Sequence, residues 1–389
     1  MIDYYFYKGR KKTLLNLIDL PGRFIKKLTG ARFNEPVDPA SVKRILFVNS
    51  THLGDNLLST PLLAGIKEHF REASITYLTK KWSADAVRNN PAINVLMEYN
   101  APWSCNPGQK PHTYRELLRI AGHLRKERFD LAVVTQFDPR NIIFARLCGV
   151  KYCAGISNNG FSFLLTHKTD IEDFGKHMVE YNLDLLRSLG GNPADKKLRF
   201  FVPEAEAKTA EDKWNSNTQK GGINVIIHPG SGHPARSWDL KKFSGLCSLL
   251  SEKNGINVMI AGGSGDEQKA EEIIKGCRPG IRNLCSKLTL AELACFLRKA
   301  DAVLVQDSGI MHLAAAVDAH IIALFGPSDE KTWGPYKTGR IIKGDCPLYP
   351  CANYKRCEYS SLWSCMKDIP LEKVYKAVLE TIDSRLVYT

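Results

Sequence analysis

The chain has 389 residues, a formal net charge of +13, and 44% hydrophobic, 24% charged and 9% aromatic residues. That length suits two domains of roughly 150 to 200 residues, each able to bury a full core. The composition excludes a disordered chain, and no apolar run reaches the roughly 18 to 20 residues that span a bilayer. Nucleic acid is excluded as a partner, because zinc-finger spacing, RNP-like aromatic motifs and a helix-turn-helix signature are all missing.

In chain order, the opening Met1 to Lys12 lacks the charged start, apolar stretch and small-residue cleavage site of a secretory signal, so a cytoplasmic location is expected. Residues 8–32 gather Lys8, Arg10, Lys11, Lys12, Arg23, Lys26, Lys27 and Arg32 around Leu14, Leu15, Leu17, Ile18 and Leu20. This basic amphipathic arm either rests on an anionic surface such as the inner membrane or is a solvated terminal helix.

Arg44 to Asn49 then reads as the first strand, and Thr60-Pro61 as a helix start with Thr60 as cap and Pro61 at its first position. Strands over 74–78, 95–99 and 131–135 and helices over 113–128 and 177–189 follow, the last stopped by Gly190-Gly191. From Asn192 to Gly222 the chain turns to Pro, Glu, Lys and Asn, which reads as a linker. The alternation then restarts, with strands over 223–228, 256–261, 302–306 and 320–325. The accompanying helices are 240–253, 267–275, one opened by the capping box Thr289-Leu290-Ala291-Glu292, and 310–317. A last helix covers 371–387. The organisation expected is an arm (1–42), a Rossmann-like domain (43–195), a linker (196–222), a second Rossmann-like domain (223–345), and a Cys-rich segment with the final helix (346–389).

Two strand-loop-helix units carry the chemistry. In Val48 to Asp55 and again in Val305 to His312, a β-branched run stops at small polar residues and an apolar-periodic helix follows. That is the ligand edge of an open parallel sheet, where a helix start offers free N–H groups to an anion such as a nucleotide pyrophosphate. In the first unit His52 and Gly54 flank Asp55, which is either a general base for a sugar hydroxyl or a helix cap. After the strand over 223–228, Ser231 sits among glycines and Arg236 can clamp a phosphate bidentately. Glu267, after the turn Gly262-Gly263-Ser264-Gly265, either bonds a ribose or sugar hydroxyl or favours its helix N-terminus. Asp307, Ser308 and Gly309 with His312 one turn on suit a pyrophosphate.

Seven cysteines (Cys105, Cys148, Cys153, Cys247, Cys277, Cys285, Cys295) sit singly and read as small core residues. Cys346, Cys351, Cys357 and Cys365 cluster without a Cys-x-x-Cys pair, which favours reduced thiols stabilising a loop over a zinc or iron–sulfur site.

With these residues assembled, the chain resembles glycosyltransferase family 9, the heptosyltransferases, whose members move heptose from ADP-heptose onto the lipopolysaccharide inner core. The resemblance spans residues 43–375. It rests on Gly54-Asp55 with Pro61 soon after, on His228-Pro229-Gly230-Ser231 with Arg236-Ser237-Trp238, and on Asp307-Ser308-Gly309 with His312, followed by Leu324-Phe325-Gly326-Pro327.

The resemblance implies an α/β, GT-B fold: two Rossmann-like parallel-sheet domains facing across a cleft, acceptor in the first and nucleotide-sugar in the second, with no metal and no cofactor. By the same resemblance Asp55 looks like the catalytic base, Arg236 like the cation that steadies the departing diphosphate, and Glu267 like the nucleoside or sugar contact. Ser308, Gly309 and His312 look like the diphosphate cradle, with Ser231 and Asp307 beside them. The reaction implied is a single displacement with inversion, and the partners implied are ADP-heptose and a lipopolysaccharide or related glycolipid. Arg236 stands where lysine is common in the family, and the stretch from Cys346 to Cys365 belongs to only part of it.

Competing readings differ in what they need. A nucleotide-sugar epimerase of the same shape needs no acceptor site or membrane arm, and a non-catalytic nucleotide-sugar-binding protein needs the cradle without Asp55. A transferase using another nucleotide-sugar changes only the sugar contacts. A dehydrogenase is disfavoured by the missing Gly-x-Gly-x-x-Gly fingerprint.

Overall fold

The computed structural model describes residues 33–104, 110–157, 160–171, 175–277, 279–351 and 364–386, together with Leu20, Gly22, Phe24 and Cys357. The chain divides between Lys197 and Leu198 into two units, each built on its own parallel six-stranded sheet.

In the first unit the strands are β1 (Arg44–Asn49), β2 (Ser74–Thr79), β3 (Val95–Glu98), β4 (Leu131–Val134), β5 (Tyr152–Ile156) and β6 (His167–Thr169), in the order β3-β2-β1-β4-β5-β6. β1 is buried from Ile45 onward, which explains its continuous apolar run: helices cover both faces of a parallel sheet. Those helices are α1 (Leu53–Leu58), α2 (Thr60–His69), α3 (Tyr114–Lys126), α4 (Pro139–Leu147) and α5 (Met178–Ser188). α2 packs on α5, and α3 on α4. α3 starts at a capping box, in which Thr113 Oγ1 accepts from Glu116 N and Glu116 Oε2 from Thr113 N, and it buries Leu117, Ala121 and Leu124 against Leu46, Val48 and Val134.

The second unit has β7 (Ile223–Ile227), β8 (Ile256–Ile260), β9 (Arg282–Asn283), β10 (Ala302–Gln306), β11 (Ile321–Phe325) and β12 (Arg340–Lys343), in the order β12-β11-β10-β7-β8-β9. Its helices are α6 (Glu204–Asn217), α7 (Leu240–Ser251), α8 (Glu267–Lys275), α9 (Leu290–Lys299), α10 (Gly309–Ala316), α11 (Glu330–Trp333), α12 (Ser364–Lys367) and α13 (Leu371–Leu386). α13 belongs to this unit's core, where Val374, Ala377 and Val378 pack with Trp238 and Leu246.

Both sheets therefore repeat one plan. Counted within each unit, the strand order is 3-2-1-4-5-6, and the winding reverses at β1/β4 and at β7/β10. A ligand crevice opens outside the carboxyl ends of such strand pairs.

Several elements differ from the sequence expectation. The stretch expected as a linker, 196–222, holds α6, which packs on α9 of the second unit. Trp214 meets Phe296 edge to face at 5.1 Å, and Lys213 pairs with the buried Glu292 at 2.7 Å. Ser59 rather than Thr60 occupies the cap position of α2, so that Thr60 is already helical. α1, α4, β5, β6, β9 and β12 had no counterpart in the sequence reading. Apart from Leu20, Gly22 and Phe24, the basic arm over 8–32 lies outside the described residues, as does Cys105.

Candidate active site at the two sheet edges

At the carboxyl end of β1, Asn49 and Ser50 are buried polar residues, and each is satisfied. Asn49 Nδ2 donates to the Asp55 carbonyl at 3.2 Å and to Ser59 Oγ at 3.1 Å, while Ser50 Oγ lies 3.4 Å from Gln136 Oε1 past the end of β4. α1 is clamped from beneath through Asn56, whose Nδ2 donates to His52 O (2.9 Å) and whose Oδ1 accepts from Tyr77 Oη (2.9 Å) and Thr79 Oγ1 (3.1 Å). Burial pushes the Tyr77 phenol well above its ordinary value, so it is a fixed neutral donor.

The network anchors the turn that carries Asp55. Its carboxylate is half-buried, and Oδ2 accepts the His52 N–H at 3.2 Å. The geometry thus realises the cap alternative, and one backbone bond still leaves a carboxylate lone pairs for a proton. His52 is exposed, with its ring 5.5 Å from Trp82 edge to face.

At the second edge the loops after β7, β10 and β11 converge on Asp307. Arg236 Nε stands 3.1 Å from Asp307 Oδ2, and Ser328 Oγ, from the loop after β11, donates to the same oxygen. Asp307 is 4% exposed, so its charge requires such partners. Ser308 is the N-cap of α10 but makes no capping bond. Its Oγ is buried without a hydrogen-bond partner, an open donor and acceptor beside the free N–H groups of the helix start. His312 lies one turn along α10 and is 5% exposed.

The loop after β7 is held by Gln306. This buried last residue of β10 accepts the Trp238 N–H through Oε1 and donates through Nε2 to the carbonyls of Pro229 (2.7 Å) and Gly230 (3.3 Å). Trp238 is itself buried, with Nε1 on the Ile369 carbonyl at 3.1 Å. Ser231 bonds within the loop, to Ser237 Oγ (2.6 Å) and the His233 carbonyl (3.1 Å). It shapes the turn that presents Arg236.

Beside this loop, Asp266 faces His228 at 3.8 Å and Lys269 at 3.1 Å, and accepts the Gly263 N–H at 3.3 Å. A Cβ on Gly230 would stand 2.6 Å from Asp266 Oδ1, and one on Gly262 would stand 2.7 Å from Oδ2, so the carboxylate fits only between two glycines. Burial lowers the His228 pKa and keeps the imidazole neutral, the opposing pull of Asp266 being weaker. Glu267, singled out from the sequence, is the exposed first residue of α8.

The structure thus brings Ser231, Arg236, Asp307, Ser308, Gly309 and His312 to one sheet edge, and His52, Gly54 and Asp55 to the other. Sequence reading missed Gln306, Asp266 and Ser328. Gln306 had a signal: an amide ending the apolar run Ala302 to Val305 must find buried partners.

Cys346, Cys351 and Cys357 lie near enough to Cys365 that each adds to the rise of its thiol, which burial chiefly pushes up to about 11. Among the described residues, no group of three or more His, Cys, Asp or Glu is arranged to hold a metal ion.

Residues 117–359 match the family model of glycosyltransferase family 9 (heptosyltransferase). Lipopolysaccharide heptosyltransferase 3 of Escherichia coli is 28% identical over 295 residues, covering 74% of this chain and 85% of that protein. Among solved structures, the glycosyl transferase family 9 protein of Veillonella parvula superposes with a TM-score of 0.73 at 20% identity, covering 89% of this chain and 99% of that one. The ADP-heptose lps heptosyltransferase II of E. coli gives 0.71 at 19%, covering 88% and 99%.

Proposed function

The chain belongs to glycosyltransferase family 9, and from that premise we propose that it moves a heptose from ADP-heptose onto a lipopolysaccharide core or related glycolipid, inverting the anomeric centre and needing no metal ion. The observation that carries the reading is the arrangement at the end of β10. A cation held on Asp307, an unsatisfied Ser308 hydroxyl and the start of α10 converge where a diphosphate would lie.

When the glycosidic bond breaks, negative charge grows on the leaving diphosphate. Arg236 and the N–H groups of α10 stabilise that charge, which is the work a divalent ion does elsewhere. The carboxylate of Asp307 does not face the anion alone, because Arg236 and Ser328 neutralise and orient it. On the acceptor side Asp55 accepts the proton of the attacking hydroxyl, and its bond from His52 N holds the carboxylate in place. The donor named for the E. coli relative supports ADP-heptose here, and the name of the 28% identical relative supports a lipopolysaccharide acceptor. No helix among the described residues is long and apolar enough to cross a membrane. We place the enzyme in the cytoplasm, meeting a membrane-held acceptor from the inner-membrane surface.

The deciding experiment is nucleoside diphosphate release from ADP-, UDP- and GDP-sugars, with and without a truncated lipopolysaccharide acceptor, in EDTA. Acceptor-dependent ADP release from ADP-heptose alone is expected; release from another donor would replace the sugar, and loss of activity in EDTA would overturn metal independence. Asp55→Asn should abolish most turnover while leaving the thermal midpoint nearly unchanged, since an amide oxygen still accepts the His52 N–H. Near-normal turnover would remove Asp55 as the base.

A further inference from the structure

One layer of the first unit combines unusual apolar exposure with positive charge. On α3, Tyr114 is 65% and Leu118 60% exposed, one helical turn apart, and the exposed Arg115 and Arg119 alternate with them on the same outward face. The single acid of the helix, Glu116, is occupied at its start by the Thr113 N–H and hydroxyl.

α3 packs on α4, and α4 packs on the short turn Ser162–Leu164. Gly22 of the N-terminal arm sits against Phe163 of that turn, so close that a Cβ would stand 2.5 Å from the ring. Leu20 (68% exposed) and Phe24 (63%) flank Gly22, and Leu147 (44%) ends α4. Five of the seven exposed large hydrophobic residues among those described thus belong to one run of packed elements: arm, turn, α4, α3.

Charge follows the same division. Residues 1–197 hold 29 Lys and Arg against 19 Asp and Glu, and residues 198–389 hold 25 against 22. Scattered single apolar residues are normal on a surface, but an exposed apolar pair interleaved with two arginines on one helix face, with further exposed apolar residues on the elements packed in series with it, has the composition of an interfacial membrane contact.

We infer that this layer, centred on the outward face of α3, docks the protein on an anionic lipid bilayer. The inference rests on the proposed membrane-held acceptor and adds to it the surface that meets the lipid. Arg115 and Arg119 engage headgroup phosphates, while Tyr114, Leu118, Leu20 and Phe24 enter the boundary between headgroups and acyl chains.

The test uses the full chain and vesicles of phosphatidylcholine alone or mixed with phosphatidylglycerol, read by co-sedimentation. The native chain should bind the mixed vesicles, bind the neutral ones far less, and release with added salt. Tyr114→Ser with Leu118→Ser, and separately Arg115→Glu with Arg119→Glu, should each weaken binding on the order of tenfold or more while keeping the native thermal transition. Transfer to a soluble truncated acceptor should be unchanged and transfer to a vesicle-embedded acceptor reduced.

Equal binding by native and variant chains, or no preference for anionic vesicles, would overturn the inference. So would a dimer in solution that Leu118→Ser dissociates, which would make the face a contact between copies. Failure of the transferase reading shows separately, as absent nucleoside diphosphate release with the soluble acceptor while vesicle binding persists.

Discussion

Arg236 reaches its place through a chain of small constraints: Ser231 shapes the turn, Gln306 holds the turn's backbone, and Asp307 fixes the guanidinium nitrogen at 3.1 Å. A cation held in advance acts on charge that appears only as the bond breaks, so Arg236→Ala should lower kcat by roughly two to three orders of magnitude with a smaller change in the donor KM. Steady-state kinetics at saturating acceptor check this, and equal losses in binding and turnover would reduce Arg236 to a binding contact.

His228 gives a pH dependence of known sign. Its folded pKa lies below the ordinary 6.5, so the unfolded chain takes up the proton first as pH falls. Stability is therefore complete above about pH 6.5 and declines below it, toward the lowered value. Thermal melts of His228→Gln should show a shallower loss between pH 7 and 5 than the native chain, and parallel curves would mean that His228 is not the group responsible. At this scale the sequence showed the residues whose chemistry is unusual for their position, such as Arg236 in a glycine-rich turn. It hid those that act through shape: where the Asp266 carboxylate lies depends on two glycines from different loops.

Gln306 shows how one side chain joins elements distant in sequence. It ties the end of β10 to the backbone of the loop after β7 at three points. Gln306→Leu would strand the buried Trp238 N–H and two carbonyls, at a cost of about 1–3 kcal/mol for each group left without a partner. A thermal midpoint lowered by several degrees with reduced activity is expected, and an unchanged midpoint would show that the loop is held elsewhere.

The elements legible in the sequence were those with strong periodicity or flanking signals. β1, β7 and β10 stand out as continuous apolar runs, and the helix after Thr289 by its capping box. α6 was read as linker because only Ala210 of its fourteen residues is buried, so the helix carries almost no apolar stripe. β9 has two residues and β6 three, too few for an alternation to show. Asp138 and Pro139 stand at the start of α4, with Asp138 capping Arg140 N at 3.0 Å, but polar and apolar residues are spread around the helix without a clear period.

Over the whole molecule, two cores of similar plan stand in series along the chain, and the proposed donor groups all belong to the second. A nucleoside diphosphate that binds the folded second unit should raise its unfolding temperature through mass action and leave the first unit's hydrogen-exchange protection unchanged. Protection rising equally in both halves would contradict that assignment. Two domains and their α/β class could be read from length and alternation, whereas the place of α6 in the second unit could not, because it is joined to that unit by contacts with α9 rather than by sequence pattern.

The matching strand orders carry one more consequence. Each crevice is framed by the strands of its own unit, so a substitution that reshapes the loops of one leaves the scaffold of the other intact. Along a lineage, the proposed donor crevice and the proposed acceptor crevice are free to diverge at separate rates.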